Sequence, residues 1–223
     1  MTRYAIYWAP EQSHPLWHAG CSWLGRDPRT AAATHATHEA TEEPRRYGFH
    51  ATLKAPITLR PERAPSDFIH AVQRVAHAHQ PFRMPALRVD WLKDFLTLQA
   101  VEPVAGDHAL RRLADACVEE LDLWRQPFDR PEFDRRSEGL DDEERANLIQ
   151  WGYPYVQDRW RFHMTLSCSI PPSDGVRRAS FQEAANTHFA AALGEPTDCR
   201  SICVFIEESA GQPFLLAHRF ALG

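Results

Sequence analysis

The 223-residue chain has almost no lysine. Lys54 and Lys93 are the only two, although Lys and Arg together number 25, so arginine carries nearly all the positive charge. That bias is what a GC-rich coding sequence produces. There is no excess of positive charge either: the formal net charge is −5 and the pI about 6.2. A surface built to coat nucleic acid is usually strongly basic, so a stable nucleic-acid partner is not expected. One small anion pocket remains compatible. Cysteine is scarce, with Cys21, Cys117, Cys168, Cys199 and Cys203 and no CxxC pair. An odd count without paired spacing argues against a disulfide framework and for a reducing, cytoplasmic setting. Glycine is low, 10 against 17 proline, with no periodic repeat of either, which excludes collagen-like and flexible-linker classes. No apolar run approaches the roughly 20 residues of a membrane span. The first residues, Met1 to Trp8, contain no apolar stretch followed by a small-residue cleavage site. No signal peptide and no membrane partner are therefore expected.

What is present suits an ordinary globular protein: 43% hydrophobic and 25% charged residues, enough apolar mass for a core. Arg3 to Ala9 reads as a strand, being rich in Tyr, Ile and Trp. Ser13 is the expected cap of a helix ending near Leu24. Arg26 to Pro44, rich in Ala, Thr and Glu, reads as an exposed loop. A strand is expected from His50 to Leu59, a helix from Ser66 to His79, and a hairpin from Phe82 to Trp91 and Phe95 to Val101. Leu110, Leu113, Ala114, Cys117, Val118 and Leu121 recur at helical spacing within Asp107 to Trp124. Arg125 to Gly139 reads as a charged loop. A helix follows from Asp141 to Trp151, then a strand from Arg159 to Ile170. A helix from Val176 to Leu193 precedes two last strands, Arg200 to Glu207 and Phe214 to Leu222.

This order contains a repeat. Strand, helix, strand, strand over residues 50–102 recurs over residues 163–222. Helices between non-adjacent strands, with a hairpin closing each half, predict an α+β fold of two similar lobes within one 1–223 domain. The expected architecture is two antiparallel sheets with helices packed outside.

Each repeat opens on the same pattern: Phe49-His50-Ala51-Thr52-Leu53 and Phe162-His163-Met164-Thr165-Leu166. Residues i and i+2 of a strand share a face. His50 and Thr52 therefore face one way, Phe49, Ala51 and Leu53 the other, and the second copy behaves alike. The apolar set belongs to the core, so two His/Thr faces are expected across a cleft. A third match, His35-Ala36-Thr37, lies in the polar loop and has no apolar partner set.

Imidazole titrates near neutrality, so one ring can take a proton while the other gives one. Hydroxyls donate to an oxyanion. Two His/Thr pairs suit in-line displacement at a phosphodiester. One histidine deprotonates the attacking oxygen, the other protonates the leaving oxygen, and Thr52 and Thr165 bind the phosphate. No metal or cofactor is needed. Candidate clamps are Arg45, Arg46, Lys54, Arg135, Arg136, Arg159 and Arg161, because guanidinium binds phosphate bidentately. Strand parity places Lys54 with His50 and Thr52, and Arg161 with His163. Tyr47, Tyr153 and Tyr155 are available to stack a base or bond a phosphate. Trp8 and Trp91 are expected in the core. His14 and His18 have the i, i+4 spacing of zinc ligands but no evident third ligand, so no metal site is assigned.

Motif for motif, this pattern resembles the two-histidine (2H) phosphoesterase superfamily, which includes cyclic nucleotide phosphodiesterases and RNA-ligase-like proteins. The strings Arg46 to Lys54, Trp151 to Val156 and Arg161 to Leu166 resemble a subfamily encoded with bacterial phosphonate (C–P lyase) operons. One departure is that Leu53 and Leu166 stand where the superfamily often has a hydroxyl residue. The resemblance implies a bilobal α+β fold with one HxT motif per lobe. It also implies a metal-independent phosphodiesterase acting on a small phosphorylated sugar or nucleotide, with a ribose cyclic phosphate as one form and phosphonate metabolism as the setting. The competing class is a non-catalytic binder of a nucleotide or RNA end that uses the same two-histidine cleft. The sequence does not decide the oligomeric state.

Overall fold

Arg3–Trp8 forms strand β1, and its period-2 alternation serves two cores at once. Tyr4, Ile6 and Trp8 enter the main apolar cluster, while Ala5 and Tyr7 enter a smaller one with Trp17, Cys203, Phe205 and Phe214. A strand buried on both faces must be central, and β1 is. It lies between β2 (Ala51–Ile57) and β8 (Ser201–Glu207), antiparallel to both, with β9 (Leu215–Ala221) beyond β8. This computed structural model describes residues 1–34 and 39–223, without the Glu39 side chain. The third HxT match at His35 therefore lies outside the described residues.

A second antiparallel sheet has the order β4 (Leu87–Leu92), β5 (Phe95–Ala100), β6 (His163–Thr165). A two-stranded ribbon pairs β3 (Phe82–Arg83) with β7 (Asp198–Cys199). Helix α3 (Pro65–His77) packs on β8 and β9, and α4 (Ala109–Leu121) on α3 and β2. Helix α7 (Gly175–Leu193) packs on β4, with α1 (Pro15–Leu24) against it. The fold is α+β, with two antiparallel sheets and helices laid on them.

The repeat is present in element order: β2, α3, β3, β4, β5 is followed, after an intervening segment, by β6, α7, β7, β8, β9. The sheets do not follow the halves of the chain. Motif strand β6 of the second half pairs with β5 of the first, and hairpin β8–β9 of the second half joins β1 and β2. One apolar cluster consequently includes Leu53, Leu98, Met164 and Val204, residues of both sheets and both halves.

Several local expectations need correction. Helix α1 is capped by His14 and not Ser13: the His14 Nδ1 accepts the Leu16 N–H at 3.0 Å. The Arg26–Pro44 stretch is not uniformly exposed. Arg26 is buried and donates to the carbonyls of Arg45, Arg46, Thr30 and Phe214, and helix α2 (Glu42–Tyr47) follows. The charged segment Arg125–Gly139 contains helix α5 (Arg130–Arg136), which Asp129 caps by accepting from the Glu132 N–H. Helix α6 (Asp142–Trp151) begins at a capping box formed by Asp141 and Glu144. The expected strand Arg159–Ile170 shrinks to the three residues of β6. Beyond it the backbone finds partners in loops, Cys168 N–H on the Ala40 carbonyl and Ile170 N–H on that of Asp94. Trp8 is core, but Trp91 is only partly buried, with the Arg178 guanidinium 3.7 Å from its ring centre.

Among the described residues no helix is long and apolar enough to cross a membrane.

Helix α1 depends on a close approach. A Cβ on Gly20 would lie 2.0 Å from the Phe49 ring, which is fully buried and precedes His50. Gly20→Ala is expected to cost about 1–3 kcal/mol of unfolding free energy, as overpacking does, despite alanine's better helix propensity. Urea unfolding checks this; a variant as stable as the parent would contradict the packing described.

Candidate active site

β2 and β6 are edge strands of different sheets and touch each other. Each edge carries one copy of the His-x-Thr pattern. The apolar members go inward as parity requires: Phe49, Ala51, Leu53, Phe162, Met164 and Leu166 are all buried. The opposite faces line one cleft of about 940 Å3, with His50, Thr52, His163 and Thr165 on its walls. Both strand edges are covered by an indole N–H. Trp160 donates to the Thr52 carbonyl at 3.0 Å, and Trp23 to the Leu166 carbonyl at 2.8 Å. A free edge would otherwise offer those carbonyls to another chain.

The two imidazoles are held in the same way. His50 Nδ1 lies 2.8 Å from the Gly48 carbonyl, and His163 Nδ1 lies 2.8 Å from the Arg161 carbonyl. A carbonyl only accepts, so each Nδ1 carries the proton and each neutral ring has an unprotonated Nε2. His50 Nε2 is 3.4 Å from the Thr52 hydroxyl. The Gly48 carbonyl reaches His50 because Gly48 adopts φ 78° and ψ 175° at the end of α2. That conformation is essentially restricted to glycine. A Cβ there would also meet Pro28 at 2.8 Å.

The surroundings differ between the two rings. His50 stacks on Tyr7, ring centres 3.7 Å apart at 21°. Burial pushes its pKa down to about 4, with smaller contributions from the charges of His163 and Arg26, while the Gly48 bond opposes the shift. Burial also lowers His163, opposed by its bond to Arg161. In the free protein, neutral imidazole is favoured at both positions.

Of the expected clamps, Arg136, Arg159 and Arg161 line the cleft, as do Tyr47, Tyr153 and Tyr155. Arg159 is tied to Asp141 at 2.9 Å and Glu143 at 2.8 Å, and Arg136 to Glu132 at 2.9 Å. Lys54 is misplaced by strand parity. The β1–β2 register runs Tyr7 opposite Thr52, then Ile6 opposite Lys54, so Leu53 is an extra residue in a bulge. The bulge turns Lys54 into the interior, where its ammonium donates to the Val118 carbonyl at 3.0 Å and meets Asp122 at 3.4 Å. Burial pulls the Lys54 pKa down to about 8 against the opposing pull of Asp122. Arg46 is off the cleft and bonds Glu207 and the Gln212 carbonyl, because a buried carboxylate needs charged donors. Arg135 is also off the cleft, with Glu132 at 4.0 Å. His14 serves the α1 cap, and among the described residues no group of three or more His, Cys, Asp and Glu could hold a metal ion.

The cleft residues that escaped the sequence reading include Arg3, Tyr7 and Thr97. Tyr7 sits opposite Thr52 on β1, and Thr97 opposite Thr165 on β5. Only cross-strand register brings them to the site, and no spacing in the sequence signals it.

The chain thus has the makings of an α+β protein with a two-histidine cleft between sheet edges. It belongs to the family described as "Protein of unknown function (DUF1045)", which matches residues 52–215. Two curated relatives are both named "Ribose 1,5-bisphosphate phosphokinase PhnN". The one from Janthinobacterium sp. (strain Marseille) is 36% identical over 227 residues, covering 96% of this chain and 49% of the relative. The one from Laribacter hongkongensis (strain HLHK9) is 34% identical over 224 residues, covering 96% and 50%. The chain spans about half the length of the curated relatives it matches. Among solved structures, one titled "Crystal structure of phosphoesterase" aligns at TM-score 0.45 and 13% identity, covering 100% of this chain and 99% of that one. Another, of E. coli LigT complexed with 3'-AMP, aligns at TM-score 0.44 and 13% identity, covering 99% and 98%.

Two outcomes follow from the geometry. Gly48→Ala should cost about 1–3 kcal/mol of stability through backbone strain and should release the His50 ring from its carbonyl partner. Chemical denaturation and the His50 Nδ1 proton resonance report the two effects; an unshifted resonance would contradict the assigned bond. The second outcome concerns pH. His50 has a lower pKa folded than unfolded, so its contribution to stability is present above about pH 6.5 and is lost as pH falls toward about 4. An imidazole NMR titration should find His50 near 4 in the free protein and higher with inorganic phosphate bound, since an adjacent anion favours imidazolium. Titration of His50 at 6.5 or above without ligand would contradict the buried, stacked environment.

Proposed function

We propose that this protein is a phosphodiesterase acting on a small cyclic phosphate or a nucleotide or sugar phosphodiester by acid–base chemistry between two histidines. One observation carries the reading. Two edge strands bring two imidazoles into one cleft, each with Nδ1 bound to the carbonyl two residues back and Nε2 left for chemistry.

In this reading His50 is the base, its pKa being pushed down to about 4 in the free protein. Its Nε2 takes a proton from water as the oxygen attacks phosphorus. The bond from phosphorus to the leaving oxygen breaks, and His163 Nε2 delivers a proton to that oxygen. The phosphate anion raises both pKa values on binding, which lets His163 arrive protonated. Thr52 and Thr165 donate hydrogen bonds to non-bridging oxygens. The two imidazoles supply both proton transfers, so the mechanism requires no metal. After turnover the rings have exchanged protonation states and re-equilibrate with solvent.

The relatives' printed name, a ribose bisphosphate kinase, supports a phosphorylated ribose as the substrate class and phosphonate use as the setting. The odd cysteine count without a CxxC pair fits the cytoplasm.

Hydrolysis of 2′,3′-cyclic nucleotides and ribose 1,2-cyclic phosphate, followed by phosphorus NMR with and without EDTA, tests the proposal. The rate should be EDTA-insensitive and bell-shaped in pH. His50→Ala and His163→Ala should each lower kcat roughly 10²- to 10⁴-fold, the usual worth of a positioned acid or base. Thr52→Ala and Thr165→Ala should cost less, since both proton transfers remain. Abolition by EDTA, or near-parental turnover in either histidine variant, would overturn the mechanism.

A further inference from the structure

Glu207, at the end of β8, is fully buried. A buried carboxylate is stable only with charged or hydrogen-bonding partners, and this one has three. Arg3 Nε donates to one oxygen; Arg46 Nη2 and the Gly211 N–H donate to the other. Burial alone would raise the Glu207 pKa, but the two arginines outweigh it and keep the group ionised. Two guanidinium charges against one carboxylate leave the cluster cationic. A single arginine would have neutralised it, so the second charge is surplus to the needs of the fold.

The two arginines are differently engaged. Arg46 also donates Nε to the Gln212 carbonyl, lies over the Tyr47 ring at 5.4 Å, and is off the cleft. Arg3 lines the cleft along with Tyr7, Tyr47 and His50. Among the described residues only its Nε is hydrogen-bonded; the two η nitrogens have no protein acceptor. The Arg3 guanidinium lies over the Phe214 ring at 5.3 Å. An arginine fixed through Nε and stacked on a ring is preorganised to offer its η N–H pair to an anionic oxygen.

We propose that Arg3 is a substrate-binding residue that receives a phosphate oxygen at the His50 wall of the cleft, and that Glu207 is its positioning residue. This rests on the phosphodiesterase reading of the same cleft. It also assigns a role to the N-terminal strand, which lies outside both halves of the repeat. Arg3 takes no part in proton transfer, so its loss should weaken binding and leave the chemistry intact.

The test compares the parent protein with Arg3→Ala, Arg3→Lys and Glu207→Gln, and with Arg83→Ala as an exposed control whose guanidinium pairs with Asp198. The readouts are kcat and KM on 2′,3′-cyclic AMP, the pH profile, and the affinity for inorganic phosphate by calorimetry. Arg3→Ala should raise KM about 10- to 100-fold, the worth of a charge-assisted hydrogen bond, with kcat and pH profile nearly unchanged. Arg3→Lys should recover part of the loss, because the ammonium keeps the charge without the fork. Glu207→Gln should raise KM with the pH profile of the parent, whereas a merely structural role would lower the melting temperature and leave KM alone. If Glu207→Gln does not fold, the two Arg3 variants decide. An active parent with an unchanged KM in Arg3→Ala overturns the Arg3 assignment alone. A parent that cleaves no cyclic phosphate overturns the phosphodiesterase reading alone. Arg3 is then judged by phosphate affinity: about tenfold weaker binding in Arg3→Ala supports it, and equal binding overturns it.

Discussion

The site depends on one contact made twice, a bond from each histidine's Nδ1 to the carbonyl two residues before it. The contact fixes tautomer and ring direction together, since a carbonyl can only accept. It also makes the orientation of both rings a property of the backbone. At His50 the carbonyl belongs to Gly48, whose positive φ turns α2 into β2. Arg26 secures that turn from behind by donating to the carbonyls of Arg45 and Arg46 at the end of α2. A buried guanidinium is thus tied up in supporting a helix end, and the histidine a few residues on inherits the result.

The exchange of strands between halves of the chain ties the two walls of the cleft together. If each half closed its own sheet, the two imidazoles would face across a hinge. Instead β6 is bonded to β5, hairpin β8–β9 is bonded to β1, and both sheets share one apolar cluster. The His/Thr faces therefore cannot separate without breaking the core, and preorganisation of this kind is what positioned proton transfer needs.

Charge is distributed against the average. The molecule is acidic overall, yet Arg3, Lys93, Arg136, Arg159 and Arg161 line the cleft against the carboxylates of Glu43 and Glu144. Arg136, at the end of α5, and Tyr153, Tyr155 and Arg159, which follow α6, all come from the segment between the two repeats. The repeat carries the histidines and threonines, and the segment between its copies builds much of the surrounding wall.

Period-2 alternation around His50 and His163 was enough to place the apolar set inward and the His/Thr set on a shared cleft, because burial of Phe49, Ala51, Phe162 and Met164 leaves the chain no other choice. Helical spacing similarly sufficed for α3 and α4. Lys54 shows where local pattern ends. A bulge at Leu53 reverses parity, and bulges are set by pairing with β1 and not by β2's own residues. Arg46 looked like a clamp beside the motif, but a buried carboxylate from β8, far along the chain, claims it. Tyr7, Thr97 and Arg3 reach the cleft through register and sheet order. The sequence by itself determined the two His/Thr pairs and the face each presents, since that depends on neighbours two residues apart. Only the tertiary structure decided which strands border them, because hydrogen bonding between distant strands leaves no local trace in the chain.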